Sequence, residues 1–494
     1  MNAVRISADD NVAVAVCDIP AGAAVEAGGA RVTALEPVAQ GHKLALRGIE
    51  KGEDVIKYGC PIGRATRDIR AGEWVHTHNC ATKLDGAAPA AIAFGAGKRL
   101  PPPAARRTFM GFRRADGRAA VRNEVWIVPT VGCVNDVARR LAADAQPLVG
   151  GSLGGVYAFC HPYGCSQLGD DLSDTQKILA ALVRHPNAAG VLVVGLGCEN
   201  NTMDSFKAVV GPTDARRVRF LVCQQEADEL SAGAAQLREL TAYAKTFERE
   251  PIDCGELIVG LKCGGSDGLS GITANPAVGA VSDRLIAAGG SAILTEVPEM
   301  FGAEQLLFSR CADAEVYRKA TDVIERFKRY FVSHGQTVYE NPSPGNKQGG
   351  ITTLEDKSLG CVQKGGTSPV RGVIGYAEQA AVRGLNILYG PGNDLVSSTA
   401  LAAAGAHMIL FTTGRGTPFG TFVPTLKIAS NSELFRKKNN WCDYDAGGIA
   451  AGRTIEDTAD GLFELILETA GGQLSKSERN GCREIAIFKN GVTL

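Results

Sequence analysis

The sequence predicts an α/β protein whose main body carries its site at strand ends, preceded by a small all-β domain. Beyond residue 108, short apolar runs such as "VWIVPTVG" and "GVLVVGLG" alternate with helical patterns such as "TQKILAALVRH". This alternation is typical of buried parallel strands joined by crossover helices. Before residue 92 the strands are short, β-rich and separated by glycines, which favours a domain built from strands alone.

The first 92 residues contain one repeated phrase. "IPAGAAV", "IEKGEDV" and "IRAGEWV" all read Ile, two residues, Gly, two residues, Val. A glycine at a fixed place between two apolar positions predicts a strand–turn–strand unit that is used three times. Consecutive prolines then interrupt the chain in "KRLPPPAARR", and we interpret residues 93–107 as a linker.

Two α/β domains are expected after the linker, over residues 108–250 and 251–494. Ligands of such sheets bind at the carboxyl ends of the strands, so the residues that follow each apolar run are the candidate site. Cys133, Cys198 and Cys263 each follow such a run, at intervals of 65 residues. The three thiols could converge on one metal centre, or each could merely pack its own turn. Thiolates, imidazoles and carboxylates together would select iron or zinc rather than magnesium.

Two of the seven histidines lie side by side in "GEWVHTHNCAT". Imidazole titrates near neutral pH and is a common metal ligand, so His76 and His78 are candidate metal ligands or a candidate acid–base pair. The alternative is a turn that carries two solvated side chains.

Other strand ends and glycine-rich loops supply further candidates. Glu199, Asp267 and Glu299 are candidate bases or ligands, or they hydrogen-bond neighbouring loops. Arg415 has the planar fork that suits a substrate carboxylate, with a structural ion pair as its alternative. The remaining candidates for substrate binding are Lys347, Asn393, Asp394 and Thr417.

Composition and missing motifs exclude several classes of function. With 52 basic and 53 acidic residues the net charge is −1, which argues against a nucleic-acid or membrane-surface partner. No apolar run reaches the roughly 18 residues of a membrane span, and no secretory leader is visible, so we expect a cytoplasmic protein with reduced thiols. The loops "CGGSDGLSGITANP" and "NPSPGNKQGGITT" could offer backbone N–H groups to an anion or polyol. Neither has the pattern of a nucleotide-binding loop or of a serine nucleophile turn.

The chain carries a series of short phrases whose residues and order along the chain resemble those of the sugar-acid hydro-lyases, the family of altronate and galactarate dehydratases. They run from residue 10 to the last residue, and the most specific are "VIKYGCPIG", "VHTHN", "HPYGCSQLGDD", "VVGLGCENN", "LKCGGSDGLSGITANP", "LTEVPEMFGAEQLL", "NPSPGNKQGGITTLEDKSLGCVQKGG", "FTTGRGTPFGTFVPTLKIASNSEL" and "REIAIFKNGVTL". The resemblance implies an SAF-type β-clip domain over residues 1–92, followed by a second and a long C-terminal domain.

The resemblance also implies a reaction. The expected reaction is loss of water from D-altronate to give 2-dehydro-3-deoxy-D-gluconate, with ferrous iron, or Mn²⁺, assisting removal of the C2 proton and the C3 hydroxyl. Three alternatives stay open: a galactarate or sulfolactate lyase, a hydro-lyase with an iron–sulfur cluster, and a sugar-acid-binding protein without catalysis. The expected partner is a small sugar acid, and a homodimer stays open.

Overall fold

A computed structural model describes residues 2–84, 95, 106–491, 493 and 494 of the chain. The predicted fold class is confirmed: antiparallel strands form the N-terminal domain, and two parallel sheets with helices form the rest. The predicted linker, 93–107, lies outside the described residues except for residues 95, 106 and 107.

The N-terminal domain consists of short strands and carries no α-helix between residues 2 and 84. Its strands are β1 Ala3–Val4, β2 Val12–Ala15, β3 Ala24–Ala27, β4 Ala30–Thr33, β5 Lys43–Ala45, β6 Asp54–Lys57, β7 Cys60–Ala65, β8 Trp74–Val75 and β9 Cys80–Ala81. They form one sheet in the order β1-β2-β5-β8, a second in the order β6-β7-β9 and the hairpin β3-β4.

The repeated phrase corresponds to one structural unit. The glycines Gly22, Gly52 and Gly72 have φ values of +81°, +88° and +82°, a conformation that side chains with a Cβ rarely adopt. The isoleucine and the valine that flank each glycine are buried in the domain core. The turn therefore needs glycine, and the two apolar positions anchor it on both sides.

The second domain is built on a four-stranded parallel sheet. Its strands are β10 Thr108–Arg113, β11 Ala119–Ala120, β12 Glu124–Pro129, β13 Gly155–Ala158, β14 Ala188–Gly195, β15 Val218–Val222 and β16 Arg249–Asp253. Its helices are α1 Asn135–Asp144, α2 Gly169–Arg184, α3 Met203–Val210 and α4 Glu229–Ala244. The parallel sheet has the order β13-β12-β14-β15, and β11-β10-β16 form a small antiparallel sheet beside it.

The C-terminal domain has a seven-stranded parallel sheet, in the order β19-β20-β18-β17-β21-β22-β23. Its strands are β17 Ile258–Cys263, β18 Ser291–Leu294, β19 Val370–Ile374, β20 Gly384–Leu388, β21 Met408–Thr413, β22 Thr425–Ala429 and β23 Tyr444–Asp445. Its helices are α5 Ala274–Ala287, α6 Glu304–Phe308, α7 Ala314–Ser333, α8 Pro344–Gln348, α9 Leu354–Cys361, α10 Asp394–Ala403, α11 Ser432–Lys437, α12 Ile455–Ala470 and α13 Lys476–Arg479.

The central strands of both parallel sheets are buried along their whole length, except for the first residue of β17, which explains their continuous apolar runs. All strands of each parallel sheet end on one edge, so the loops after them gather there. Within the described ranges, no helix is long and apolar enough to cross a membrane.

Candidate active site

Five buried charges lie together at the carboxyl edge of the seven-stranded sheet. We call Lys262, Glu296, Glu299, Lys357 and Lys364 the charge cluster. Lys262 is the penultimate residue of β17 and is completely buried. Its ammonium group donates to Glu296 and lies 3.0 Å from an oxygen of Asp394. Lys364 approaches the other oxygen of Glu296 at 3.5 Å, and Lys357 lies 2.7 Å from Glu299.

The three lysines of the cluster face three carboxylates, those of Glu296 and Glu299 and, outside the cluster, that of Asp394. Burial alone favours the neutral acid, yet Lys357 and Lys262 hold the pKa of Glu299 well below its usual range. Burial likewise favours the neutral amine of Lys262, yet the charges of Glu296 and Asp394 raise its pKa. Glu299 and Lys262 are therefore both charged at neutral pH.

The backbone of Glu296 contributes to this geometry. Its φ of +68° places a residue with a Cβ in the left-handed region, at the turn directly after β18. Such a conformation costs free energy and persists only where the surroundings demand it. Here it allows one carboxylate to accept from Lys262 and from the backbone N–H of Cys263, the latter at 2.9 Å.

Two thiols complete this part of the site. The Sγ atoms of Cys263 and Cys361 lie 3.4 Å apart, and each lies 3.0 Å from one oxygen of Glu299. Among the described residues, these three are the only His, Cys, Asp or Glu side chains that bring three possible metal-ligating atoms within 4.8 Å of one another. Two sulfurs and a carboxylate oxygen form a donor set that suits iron or zinc.

The N-terminal domain covers this edge through a second group of buried charges. Lys43 and Lys57 come from β5 and β6, and their ammonium groups lie 2.9 and 3.0 Å from the two oxygens of Asp356 on α9. Although burial opposes ionisation, the two lysines hold the pKa of Asp356 well below its usual range. Lys43 also donates to the carbonyl of Gly350 at 2.7 Å. The two domains are therefore joined by paired charges that water does not reach.

Of the two candidate histidines, His76 is buried in this interface and His78 lies outside it. His76 is buried, with its Nδ1 atom 3.4 Å from the hydroxyl of Thr352, and its ring stacks on Trp74. Burial and the neighbouring charge of Lys43 lower the pKa of His76 to about 4, so its imidazole is neutral at pH 7. His78 is exposed, and its ring centroid lies 4.9 Å from that of Trp74.

Asp267, Arg415 and Lys347 lie on the rim of the site. The carboxylate of Asp267 accepts from the hydroxyls of Ser270 and Ser430 and is half-buried. Arg415 is exposed and makes only long contacts to α8, at 3.2 and 3.4 Å. Lys347 belongs to the same helix, and its ammonium group forms no ion pair or hydrogen bond with the described residues. Arg415 and Lys347 therefore have N–H groups at this rim that are available to a ligand.

A cleft of about 340 Å³ opens beside Arg415. Its lining consists of Gln40 from the N-terminal domain and of C-terminal residues, namely Gly414, Arg415, Asn431, Glu433, Leu434, Lys437 and Lys438. The cleft therefore lies between the two domains, and its wall carries three cations and one acid.

The other polar candidates have local partners. Asn393 caps α10 by accepting from two backbone N–H groups, and the hydroxyl of Thr417 accepts from the N–H of Phe419 at 3.3 Å. Asp394 pairs with Lys262 and so touches the charge cluster. Glu199 belongs to the second domain, where its carboxylate accepts from Thr130 and from two backbone N–H groups of its own loop.

The structure divides the three evenly spaced cysteines between two sheets. Cys133 and Cys198 are exposed at the edge of the second domain's parallel sheet, near Cys165. Cys263 is buried beside Cys361 in the C-terminal domain. The reason is that β17, which carries Cys263, belongs to the seven-stranded sheet rather than to the sheet of β12 and β14.

Comparison with known proteins identifies the family. Residues 1–83 match the family model "Altronate/galactarate dehydratase SAF domain", 111–245 match "D-galactarate dehydratase/Altronate hydrolase, second domain" and 254–493 match "D-galactarate/Altronate dehydratase, C-terminal". The chain is 52% identical to "Altronate dehydratase" of Escherichia coli (strain K12), covering 100% of both chains. The chain belongs to the altronate/galactarate dehydratase family.

Two further members of the family differ in how similar they are to the chain. "Altronate dehydratase" of Bacillus subtilis (strain 168) is 50% identical over 99% of both chains. "Galactarate dehydratase (L-threo-forming)" of Escherichia coli (strain K12) is 32% identical over 95% of this chain and 93% of its own. Within the family, the chain is thus more similar to these altronate enzymes than to this galactarate enzyme.

Several site residues of this dehydratase were not among the sequence candidates. They are Lys43, Lys57, Lys262, Asp356, Lys357 and Cys361. A signal existed for part of this set: Lys357 and Cys361 are spaced i and i+4, which predicts one helix face. Lys262 interrupts an otherwise apolar strand, and a lysine there requires a buried partner.

Proposed function

We propose that this chain removes water from D-altronate and forms 2-dehydro-3-deoxy-D-gluconate. The observation that carries the proposal is the similarity to two altronate dehydratases, at 52% and 50% identity over nearly full length, against 32% for the galactarate enzyme. The small sugar acid is the proposed partner, and the cytosol is the proposed compartment, since all fourteen cysteines are free thiols.

The chemistry requires positive charge close to the substrate. The proton on C2 lies beside a carboxylate and is weakly acidic, so its removal builds negative charge on the carboxylate oxygens. Fixed cations that point at this charge stabilise the transition state without reorganising. Arg415 and Lys347 supply such cations at the rim. Lys262, Lys357 and Lys364, held in place by their carboxylate partners, add positive charge beneath the domain interface.

The substrate carboxylate is proposed to bind at the rim, where Arg415 and Lys347 have donors to spare. The guanidinium group of Arg415 can hold a carboxylate by two parallel hydrogen bonds. The inter-domain cleft then receives the polyol part of the substrate, because its polar lining from Asn431, Glu433 and Gln40 matches several hydroxyl groups. His76 lies at the same interface with a neutral imidazole, and its lowered pKa of about 4 makes it a weak base there.

The donor set around Glu299 fits a divalent iron ion better than manganese, because two of its three ligands are thiols. Cys263, Glu299 and Cys361 would hold the ion, because their ligand atoms lie within 4.8 Å of one another. Binding of a dication with loss of the two thiol protons leaves the net charge of the site unchanged. When bound, the ion supplies a Lewis acid that stabilises negative charge on oxygen.

A substrate panel tests the proposal. Full-length protein is prepared without oxygen, supplied with ferrous iron, and given D-altronate, galactarate and sulfolactate. The expected result is the highest kcat/KM with D-altronate and the formation of a 2-keto-3-deoxy acid. A kcat/KM at least about tenfold higher for either other acid, equivalent to about 1.4 kcal/mol, contradicts the proposed substrate.

A further inference from the structure

Three exposed thiols, Cys133, Cys165 and Cys198, lie at one edge of the second domain and have no part in the proposed site. We call them the thiol triad. They follow β12, β13 and β14, which are direct neighbours in the order β13-β12-β14. Adjacent strands are about 4.8 Å apart, so loops from three neighbouring strands can bring their side chains to one place.

Backbone hydrogen bonds tie the three loops to one another. The N–H of Gly132 donates to the carbonyl of Tyr163 at 2.8 Å, which joins the Cys133 loop to the Cys165 loop. The N–H of Asn201 donates to the carbonyl of Gly164 at 3.2 Å, which joins the Cys198 loop to the Cys165 loop. Gly164 has a φ of +96°, and an added Cβ would lie 2.1 Å from the carbonyl of Thr130. The close approach of these loops therefore requires glycine.

Buried polar side chains support the same loops from below. Glu199 directly follows Cys198, and its carboxylate accepts from Thr130 at 2.8 Å and from the N–H groups of Leu196 and Gly197 at 3.0 and 2.6 Å. Asn201, fully buried, donates to the carbonyl of Thr130 at 2.9 Å. These buried hydrogen bonds fix the loops that carry the three thiols, while the thiols themselves are open to solvent.

The thiols are close to one another but not packed around a point. Partial burial and the neighbouring Cys165 and Cys198 thiols raise the pKa of Cys133, and Cys165 lies within hydrogen-bonding range of it. The three sulfurs of the triad do not all lie within 4.8 Å of one another. Among the described residues, the only three possible ligand atoms that do so belong to Cys263, Glu299 and Cys361. A single zinc or iron ion needs closer ligands, whereas a cluster takes each thiolate on a different iron.

Helix positions also suit an anionic group. A helix begins soon after each of the three cysteines: α1 starts at Asn135, α2 at Gly169 and α3 at Met203. Helix N-termini stabilise thiolates and other negative charge nearby. Three helices with their N-termini near one set of thiols favour a ligand that carries several thiolates.

We propose that Cys133, Cys165 and Cys198 bind a [4Fe–4S] cluster through three of its irons, with the fourth iron open to solvent. Cys160 has its own partner, because its thiol donates to the carbonyl of Asn135 at 3.5 Å. The site goes beyond the proposed function: it lies in a different domain from the charge cluster, and it does not depend on which sugar acid is the substrate.

Chemical analysis of the full-length protein tests this proposal. Anaerobic protein is reconstituted with ferrous iron and sulfide, desalted, and assayed for iron, acid-labile sulfide and visible absorption. We expect about four sulfides per chain, as a [4Fe–4S] cluster contains. Cys133→Ser, Cys165→Ser and Cys198→Ser should each lose most of that sulfide, whereas Cys17→Ser, which changes another exposed thiol, should keep all of it.

Cys263→Ser separates this site from the proposed iron site, since it should retain the labile sulfide. A footprint by thiol alkylation needs no variant: the triad should react in the apoprotein and be protected after reconstitution, while Cys17 reacts in both. Wild-type protein that takes up iron but no sulfide would overturn the proposal. So would full labile sulfide in the three triad variants, or a triad alkylated equally before and after reconstitution.

Discussion

Glu299 shows how a single side chain holds this site together. Its carboxylate lies 2.7 Å from the ammonium group of Lys357 and accepts from the thiols of Cys263 and Cys361. A buried ion pair adds little net stability, but removal of one partner strands the other charge in a medium that solvates it poorly. The chemistry of the site and the stability of the fold therefore depend on the same atoms.

Glu299→Gln keeps the size of the side chain and removes its charge. Lys357 is then left without its ion-pair partner, so we expect the free energy of unfolding of the metal-free protein to fall by about 3–5 kcal/mol. Urea denaturation measures this change. Glu340→Gln, at an exposed position, is the control and should leave the midpoint unchanged. Equal midpoints for both variants would contradict the role given to Glu299.

Arg415→Met removes the proposed carboxylate fork at the rim. Hydrogen bonds to charged groups contribute about 1.5–3 kcal/mol each, so the loss of two should lower kcat/KM for D-altronate by roughly 10²- to 10⁴-fold, mainly through KM. Arg415→Lys should recover only part of the loss, because an ammonium group lacks the planar fork. Arg436→Met, which changes an exposed arginine outside the cleft, should keep the parent KM. A normal KM for Arg415→Met would remove Arg415 from the substrate site.

At the scale of elements, the segment between α7 and α9 has a different role from the one that its glycine-rich sequence predicted. The sequence predicted backbone N–H groups that face an anion. In the structure two of its carbonyls face the N-terminal domain instead: Gly350 accepts from Lys43, and the carbonyl of Gln348 lies 3.2 Å from the Nε2 atom of His42. The loop is therefore an acceptor surface for the N-terminal domain.

Gly268→Ala tests that docking surface. An added Cβ would lie 1.8 Å from the carbonyl of Gly41, a backbone atom of the N-terminal domain that cannot swing aside. We expect most activity to be lost and the protein to be cleaved faster in limited proteolysis. Gly48→Ala is the matched control, since its Cβ meets only the carbonyl of Ile69 at 4.0 Å. Full activity of Gly268→Ala would show that the close contact is not needed.

The elements themselves could be predicted from the sequence because their signals are local. The apolar runs gave the parallel strands, and the threefold repeat gave the turns of the N-terminal domain. The pairing of Lys43 with Asp356 spans 313 positions in the chain, and no local pattern encodes it. The equal spacing of Cys133, Cys198 and Cys263 likewise does not indicate which sheet each strand joins. Cys165 gave no signal of that kind, because its loop is longer than the other two.

For the whole molecule, the charges at the domain interface make docking of the N-terminal domain dependent on pH. The pKa of His76 is about 4 when docked and returns to about 6.5 when exposed, so the undocked form takes up a proton as the pH falls between these values. Protonation of His76 therefore weakens docking as the pH falls through this range. Asp356, whose pKa is depressed by Lys43 and Lys57, stabilises docking above about pH 3.9 and loses that contribution below it.

We therefore expect the interface to open on acidification before the parallel sheets unfold. Trp74 stacks on His76, so its fluorescence should change between about pH 6.5 and 4 while far-UV circular dichroism stays constant. His76→Gln removes one of the two buried imidazoles beside Trp74, the other being His42, so its fluorescence change over that range should be smaller than in the parent. His334→Gln, at an exposed histidine, should behave as the parent. An unaltered fluorescence transition in His76→Gln, or a circular dichroism change at the same pH as the fluorescence change in the parent, would exclude this mechanism.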